Sequence, residues 1–301
     1  MLLEKLILMQ TQEKSLQVIT GIFPQNFLGL HYWQLLLLYL EFLQCLVLTG
    51  IICIKKEQMA NYGLIGKNIA YSFSKKYFTE KFKKEKLAHR YHNFDIETLA
   101  LFKKIVQKET SLKGLNVTIP YKEEIIPYLD NLDQQARIIG AVNTIKFLED
   151  GTLVGYNTDH YGFIRSLASY PTPKSKTALI LGDGGASKAI KYALDGLGYC
   201  CTTVSRSKTK DTITYDQVTK QVLENNTLIV NTTPQGVAPD VLKCPDLPYS
   251  FITKEHFLFD LIYNPRQTTF LKHGLAKGAT IANGSKMLEY QAQEAWRIWN
   301  S

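Results

Sequence analysis

Beyond residue 58 the chain alternates short apolar runs with longer amphipathic ones. Short runs bounded by Gly or Pro read as strands, and longer runs with apolar residues three or four apart read as helices. Tyr62 to Gly66 is a buried strand ending in glycine. A helix is expected from Ser74 to His89, with Ser74 as its N-cap and Phe78 and Phe82 on one face. Arg90 to Phe94 reads as a second strand and Glu97 to Lys108 as a second helix. The stretch Asn116-Val-Thr-Ile-Pro-Tyr-Lys122 is a β-branched run stopped by Pro120, which has no amide to donate to a ladder. Lys122 is expected at the start of a helix carrying Ile125, Ile126 and Leu129. A cation there opposes the helix dipole, which makes Lys122 a candidate for chemistry rather than stability. Gln134 to Ile139 is a short helix closed by Gly140. The runs 141–147 and 152–156 flank Asp150-Gly151, a hairpin turn. Asn157-Thr158-Asp159 then opens a helix with Phe163, Ile164 and Leu167, and Asp159 suits its N-cap. This half is α/β, and its closing hairpin predicts a mixed sheet.

Tyr170-Pro-Thr-Pro173 reads as a linker. Thr177 to Leu181 is a continuous apolar run of the kind buried in parallel sheets. Gly182-Asp-Gly-Gly-Ala-Ser187 leads from it into a helix with Ala189, Ile190, Ala193 and Leu194. Strand, glycine turn and helix are the opening of a dinucleotide-binding unit, whose helix N-terminus accepts a pyrophosphate. The following strand, Cys200 to Val204, ends in Ser205-Arg206-Ser207-Lys208. An acid at that point binds ribose hydroxyls and repels a 2′-phosphate, whereas an arginine flanked by hydroxyls attracts one, so NADP is favoured over NAD. Leu228 to Asn231 and Phe257 to Leu261 are further strands, and a helix from Lys286 to Trp299 closes the chain.

The net charge of +8 adds little direction. Residues 1–58 hold four lysines and four glutamates, so the basic excess lies in 59–301 without forming a long run. A small anionic ligand accounts for it, and no nucleic-acid-binding motif is present. The five cysteines, Cys45, Cys53, Cys200, Cys201 and Cys244, show neither CxxC spacing nor an even count. That points to reduced thiols in the cytoplasm, with no disulfide framework and no metal site. The first 58 residues have a different texture. Gln34 to Ile54 is long enough to span a bilayer, and Lys55-Lys56 would hold that end inside. Glu41 opposes insertion by about 3 kcal/mol. Three readings fit: a start-site artefact with translation beginning at Met59, a membrane anchor over 34–54, or an extra soluble helix. The first is the expectation adopted here.

Taken in order, YGLIG (62–66), Ser72-x-Ser74, NVTIPYK (116–122), AVNT (141–144), GYNTD (155–159), GDGGASK (182–188), SRS (205–207), NTTPQG (231–236), LIYNP (261–265) and Gly284 with MLEYQ (287–291) resemble shikimate dehydrogenases. The resemblance implies reversible NADP-dependent reduction of 3-dehydroshikimate to shikimate, a step of chorismate and aromatic amino-acid biosynthesis. It implies a mixed-sheet substrate-binding catalytic domain (59–157 plus 284–301) and a Rossmann-like NADP-binding domain (158–283), with the last helix returning to the first domain. Ser72, Ser74, Thr118, Asn143 and Gln291 would hold the substrate, with Tyr263 beside them, and Lys122 and Asp159 would form the catalytic pair. Gly182, Gly184, Gly185, Ala186 and Ser187 would hold the pyrophosphate, and Ser205, Arg206 and Ser207 the 2′-phosphate. Leu261 and Gly284 would lie against the nicotinamide half. A quinate/shikimate dehydrogenase and a non-catalytic NADP-binding regulatory protein are the alternatives, and a homodimer is left open. Departures are Tyr71 before the serine pair, Ser205 and Ser207 around Arg206, and Asp183 inside the glycine turn. A carboxylate beside phosphates weakens binding unless it points away.

Overall fold

The computed structural model describes residues 59–301 except 71, 110, 172 and 174, and before them only residues 36, 37 and 39–41. The 34–54 run and Tyr71 therefore lie largely outside the described residues, as does part of the 170–173 linker. Among the described residues no helix is long and apolar enough to cross a membrane. Residues 58–301 form one compact unit, built on two six-stranded sheets.

The first sheet takes strands β1 (Asn61–Gly66), β2 (Arg90–Asp95), β3 (Leu112–Val117), β4 (Asn131–Leu132), β5 (Thr144–Phe147) and β6 (Leu153–Tyr156) in the order β2-β1-β3-β5-β6-β4. The pairs β1–β2, β1–β3 and β4–β6 are parallel, while β3–β5 and the β5–β6 hairpin are antiparallel, so the sheet is mixed as expected. Helices α1 (Phe73–Glu85), α2 (Phe102–Lys108) and α3 (Gln134–Ile139) accompany it. Period-two alternation sends β1 side chains to opposite faces. Tyr62 and Leu64 join Phe78, Phe82 and Tyr91 on one side, and Ile65 joins Leu115, Val117 and Ile145 on the other.

The second sheet is wholly parallel. Its strands β7 (Thr177–Leu181), β8 (Cys200–Ser205), β9 (Thr212–Thr214), β10 (Leu228–Asn231), β11 (Phe257–Asp260) and β12 (Thr280–Ala282) run β12-β11-β10-β7-β8-β9. This is the doubly wound dinucleotide-binding order, with its switch point between β7 and β10. Both faces are buried, which explains the unbroken apolar runs. Ala178, Ile180, Leu228 and Val230 meet helices α4 (Asp159–Leu167) and α5 (Gly185–Gly196) through Phe163, Ile190 and Leu194. Leu179, Leu181, Ile229 and Leu258 meet α6 (Lys220–Asn225) and α7 (Thr269–Ala276) through Leu223, Phe270 and Leu271.

The last helix, α8 (Ser285–Trp299), belongs to both cores. Met287 lies in the core of the second sheet, while Ala292, Ala295 and Trp299 lie in that of the first. Trp299 lies over Gly114, where an added Cβ would sit 2.2 Å from the indole nitrogen. That nitrogen donates to the carbonyl of Ile145 at 3.0 Å. Helices α4 and α8 cross closely at Gly162, whose Cβ would come within 2.5 Å of the Met287 carbonyl.

Several expected elements differ. The chain after Pro120 is a series of turns ending in a 3-10 turn at Ile126–Tyr128, not an α-helix. The buried Tyr121 donates its hydroxyl to the Ile96 carbonyl at 2.8 Å, and that anchor holds the turn. Helix α1 begins one residue early because Ser72, not Ser74, caps it, accepting from the Lys75 amide at 3.3 Å. The helix ends at Glu85, where Lys86 adopts a left-handed conformation. The second expected helix divides into a 3-10 turn at Leu99–Leu101 and the shorter α2, with Thr98 as the cap. Asp159 does not cap α4. Asn157 Oδ1 accepts from the amides of Asp159 at 3.1 Å and His160 at 3.5 Å, which leaves the Asp159 carboxylate for other partners.

Candidate active site

The Lys122 turn, the start of α4 and the N-terminus of α5 converge on one point. Lys122 Nζ lies 2.6 Å from Asp159 Oδ2, with the two side chains 15% and 8% exposed. Both are nearly out of water, where an ion pair needs further hydrogen bonds to hold it. The other Asp159 oxygen, Oδ1, accepts from Asn143 Nδ2 at 2.9 Å. Asn143 precedes β5 and is itself fixed by the Thr158 amide, which donates to its Oδ1 at 2.7 Å. Its Nδ2 also reaches Thr158 Oγ1 at 3.0 Å and Gln291 Oε1, on α8, at 3.5 Å.

The polar network continues under the sheet. Asn116 Nδ2 donates to Thr144 Oγ1 at 3.2 Å, and Asn116 Oδ1 accepts from the Tyr91 hydroxyl at 2.7 Å. Burial pushes the Tyr91 phenol well above its ordinary value, with the Ser74 side chain opposing the rise. Tyr91 is thus linked to the Lys122–Asp159 pair through Asn116, Thr144 and Asn143. Ser72 is half-buried and serves as the α1 cap. Thr118, half-buried after β3, closes the Lys122 turn through its carbonyl, which accepts from the Tyr121 amide at 2.9 Å. Tyr263 comes from the loop after β11, and its ring meets Phe73, between the two serines, edge-on at 5.7 Å. Burial raises the Tyr263 phenol, and the Phe73 backbone hydrogen-bonds it.

The glycine turn lies directly against Lys122. A Cβ on Gly185 would sit 3.0 Å from Lys122 Cβ and 3.2 Å from Ala141 Cβ. Gly182 has φ +109°, and its Cβ would strike Thr232 Oγ1 at 2.7 Å, so only glycine fits there. No side chain caps α5, whose first amides are open to an anion. Beside this turn an ion pair joins Lys188 on α5 to Glu123 at 2.5 Å. A Cβ on Gly284 would lie 2.0 Å from the Leu261 carbonyl, so these two residues are in direct backbone contact. Arg206 and Ser207 are exposed at the end of β8, whereas Ser205 is buried and donates its hydroxyl to Asp183 Oδ2 at 2.8 Å. Asp183 therefore turns toward β8, and one of the three hydroxyl and guanidinium groups expected for a 2′-phosphate is already engaged.

Residues 64–145 match the model of the shikimate dehydrogenase substrate binding domain. The shikimate dehydrogenase (NADP(+)) of Clostridium beijerinckii is 40% identical over 250 residues, covering 80% of this chain and 92% of that protein. The chain belongs to the shikimate dehydrogenase family. Among solved structures, the shikimate dehydrogenase of Aquifex aeolicus superposes with a TM-score of 0.73 at 37% identity, covering 81% of this chain and 93% of that one. The Thermus thermophilus shikimate dehydrogenase, solved with NADP(H) and shikimate, gives 0.72 at 30% identity, covering 80% and 93%. The two-sheet architecture is that of this family.

Sequence reasoning assigned no part to Asn116, Thr144, Thr158 or Tyr91, which carry the network, nor to Glu123. Asn116 is a polar residue at a buried position of β3, between Leu115 and Val117, which was its available signal. It likewise missed Asp260, at the end of β11. Its carboxylate accepts from Asn231 Nδ2 at 3.0 Å, the Ile262 amide at 3.1 Å and Thr268 Oγ1 at 2.5 Å. Burial holds it up at about 6 against those hydrogen bonds.

Proposed function

We propose that this chain is an NADP-dependent shikimate dehydrogenase that reversibly reduces 3-dehydroshikimate to shikimate. The observation that carries this reading is the buried Lys122–Asp159 pair lying directly against the glycine turn. A proton-donating group and a nucleotide-binding turn then stand side by side, as ketone reduction requires. The uncapped α5 N-terminus, the three turn glycines and the exposed Arg206 suit a phosphorylated dinucleotide. A bound nicotinamide supplies or accepts the hydride.

Lys122 donates the proton that a reduced ketone oxygen takes up, and stabilises the negative charge developing there. Asp159 orients the ammonium, and Asn143 holds Asp159 by its second oxygen. In the oxidative direction the same lysine, once neutral, takes the hydroxyl proton. Ser72, Ser74, Thr118, Asn143, Tyr263 and Gln291 offer neutral donors and acceptors that suit a polyhydroxy acid. Residues 59–157 and 284–301 form the substrate domain in this reading and 158–283 the NADP domain. The enzyme works in the cytoplasm on small molecules and without a metal.

The test is turnover of shikimate with NADP+, followed at 340 nm on the purified full chain. Lys122→Ala is expected to lower kcat at least about 10²-fold with NADP+ affinity unchanged. Absence of turnover by the native protein refutes the reading, and a loss confined to KM removes Lys122 from proton transfer.

A further inference from the structure

In NAD-binding units an acid at the end of the second strand takes the ribose hydroxyls. Here that strand, β8, ends in Ser205-Arg206-Ser207 and carries no acid. A carboxylate nevertheless reaches the same corner from the neighbouring strand. Asp183 follows β7 inside the glycine turn, and Ser205 Oγ donates to its Oδ2 at 2.8 Å. Ser205 also accepts from the Ser207 amide at 3.2 Å, so the end of β8 and the glycine turn are tied together. Asp183 and Arg206 are both exposed. Burial pushes the nearby Tyr215 phenol up to about 12, with Asp183 adding to the rise and Arg206 opposing it. One anion and one cation thus lie near enough to act on the same phenol.

We propose that Asp183 is a specificity-determining residue that relaxes the preference for a 2′-phosphorylated cofactor, so that the enzyme takes NAD(H) as a second cofactor. The inference rests on the NADP reading above and goes beyond it. A 2′-phosphate carries nearly two negative charges, and a fixed carboxylate in its corner opposes the attraction of Arg206. An unphosphorylated ribose carries donors there, and the same carboxylate accepts them. Asp183 thereby takes the part of the missing β8 acid from the β7 side, while Arg206 keeps the phosphate-binding part.

Isothermal titration of the full chain with adenosine 2′,5′-bisphosphate and with adenosine 5′-monophosphate isolates the 2′-phosphate, because the two ligands differ in nothing else. Asp183→Asn keeps an acceptor for Ser205 and removes only the charge, and Asp183→Ala removes both. Circular dichroism checks that each variant stays folded. Both variants are expected to tighten the bisphosphate relative to the monophosphate about tenfold. They should also lower kcat/KM with NAD+ relative to NADP+ by a similar factor. An unchanged affinity ratio in both variants overturns the role of Asp183. If the native protein does not prefer the bisphosphate at all, or Arg206→Gln weakens both ligands equally, the NADP reading itself fails and the inference falls with it.

Discussion

The Lys122–Asp159 pair can be tested as a unit by a double-mutant cycle. Lys122→Met keeps the stem and removes the charge, and Asp159→Asn keeps the Asn143 contact and removes the charge. At 2.6 Å the gross attraction is about 6 kcal/mol for an effective dielectric near 20. Desolvation of two nearly buried ions returns most of that. A coupling of about 2–3 kcal/mol remains, within the range found for contacting pairs in shared networks. Each single variant leaves one charge stranded and should lose about 3 kcal/mol, whereas the double variant should lose far less than the sum. Urea unfolding followed by tryptophan fluorescence reports it, because Trp296 and Trp299 lie on α8. Turnover supplies the second readout. Each single change should lower kcat by about 10² to 10³-fold, and the double variant should be no worse than the poorer single, as for groups that act together. Stability losses that add to within about 0.5 kcal/mol would show that the charges do not interact. Multiplying kinetic losses would show that Asp159 acts on the substrate independently of Lys122.

Gly284→Ala would place a methyl group 2.0 Å from the Leu261 carbonyl. The start of α8 or the Leu261 backbone must move, and kcat/KM with NADP+ should fall about tenfold or more, since displacements of about 1 Å cost that much or more in oriented sites. Asp260 should impose a pH dependence on stability. Its folded pKa of about 6 lies above the unfolded value, so the native state binds the extra proton. Its contribution is full below about pH 4 and is lost as pH rises through about 6. The two-unit displacement corresponds to about 3 kcal/mol at most. Asp260→Asn should therefore flatten the slope of urea-unfolding free energy between pH 4 and 7, and an unaltered slope would count against it.

What was legible in the chain was what local chemistry decides. Thr177–Leu181 is an apolar run with a glycine turn behind it, and α3 is closed by Gly140 at φ 70°. Both were readable residue by residue. The doubly wound order of the second sheet followed from family motifs, while the short strands β4, β9 and β12 went unseen because neighbouring strands define them. The turn carrying Lys122 was misread as a helix. Its backbone is held by a long-range hydrogen bond from Tyr121 to Ile96, which no window of sequence contains. Asp159 was read as a cap for the opposite reason. The local signal was right about the place and wrong about the residue, since Asn157 does the capping and so frees the carboxylate. The buried relay through Tyr91, Asn116 and Thr144 joins three strands and has no sequence period at all. Asp183 was visible as an odd residue in a glycine turn, but its hydrogen bond to Ser205 across the strand ends was not.

The position of Trp299 over Gly114 has a consequence for synthesis. The first sheet emerges from the ribosome early, yet one face of its core is incomplete without Ala292, Ala295 and Trp299 at the far end of the chain. Domains tend to fold as they are made, from the N-terminus onward. Here the earlier sheet must wait with Tyr62, Phe78 and Tyr91 only partly covered until α8 has been made. The second sheet, whose strands and most of whose helices lie within one continuous segment, waits for the same helix only through Met287. Removal of the end of α8 would therefore strip more from the sheet made first than from the one made second.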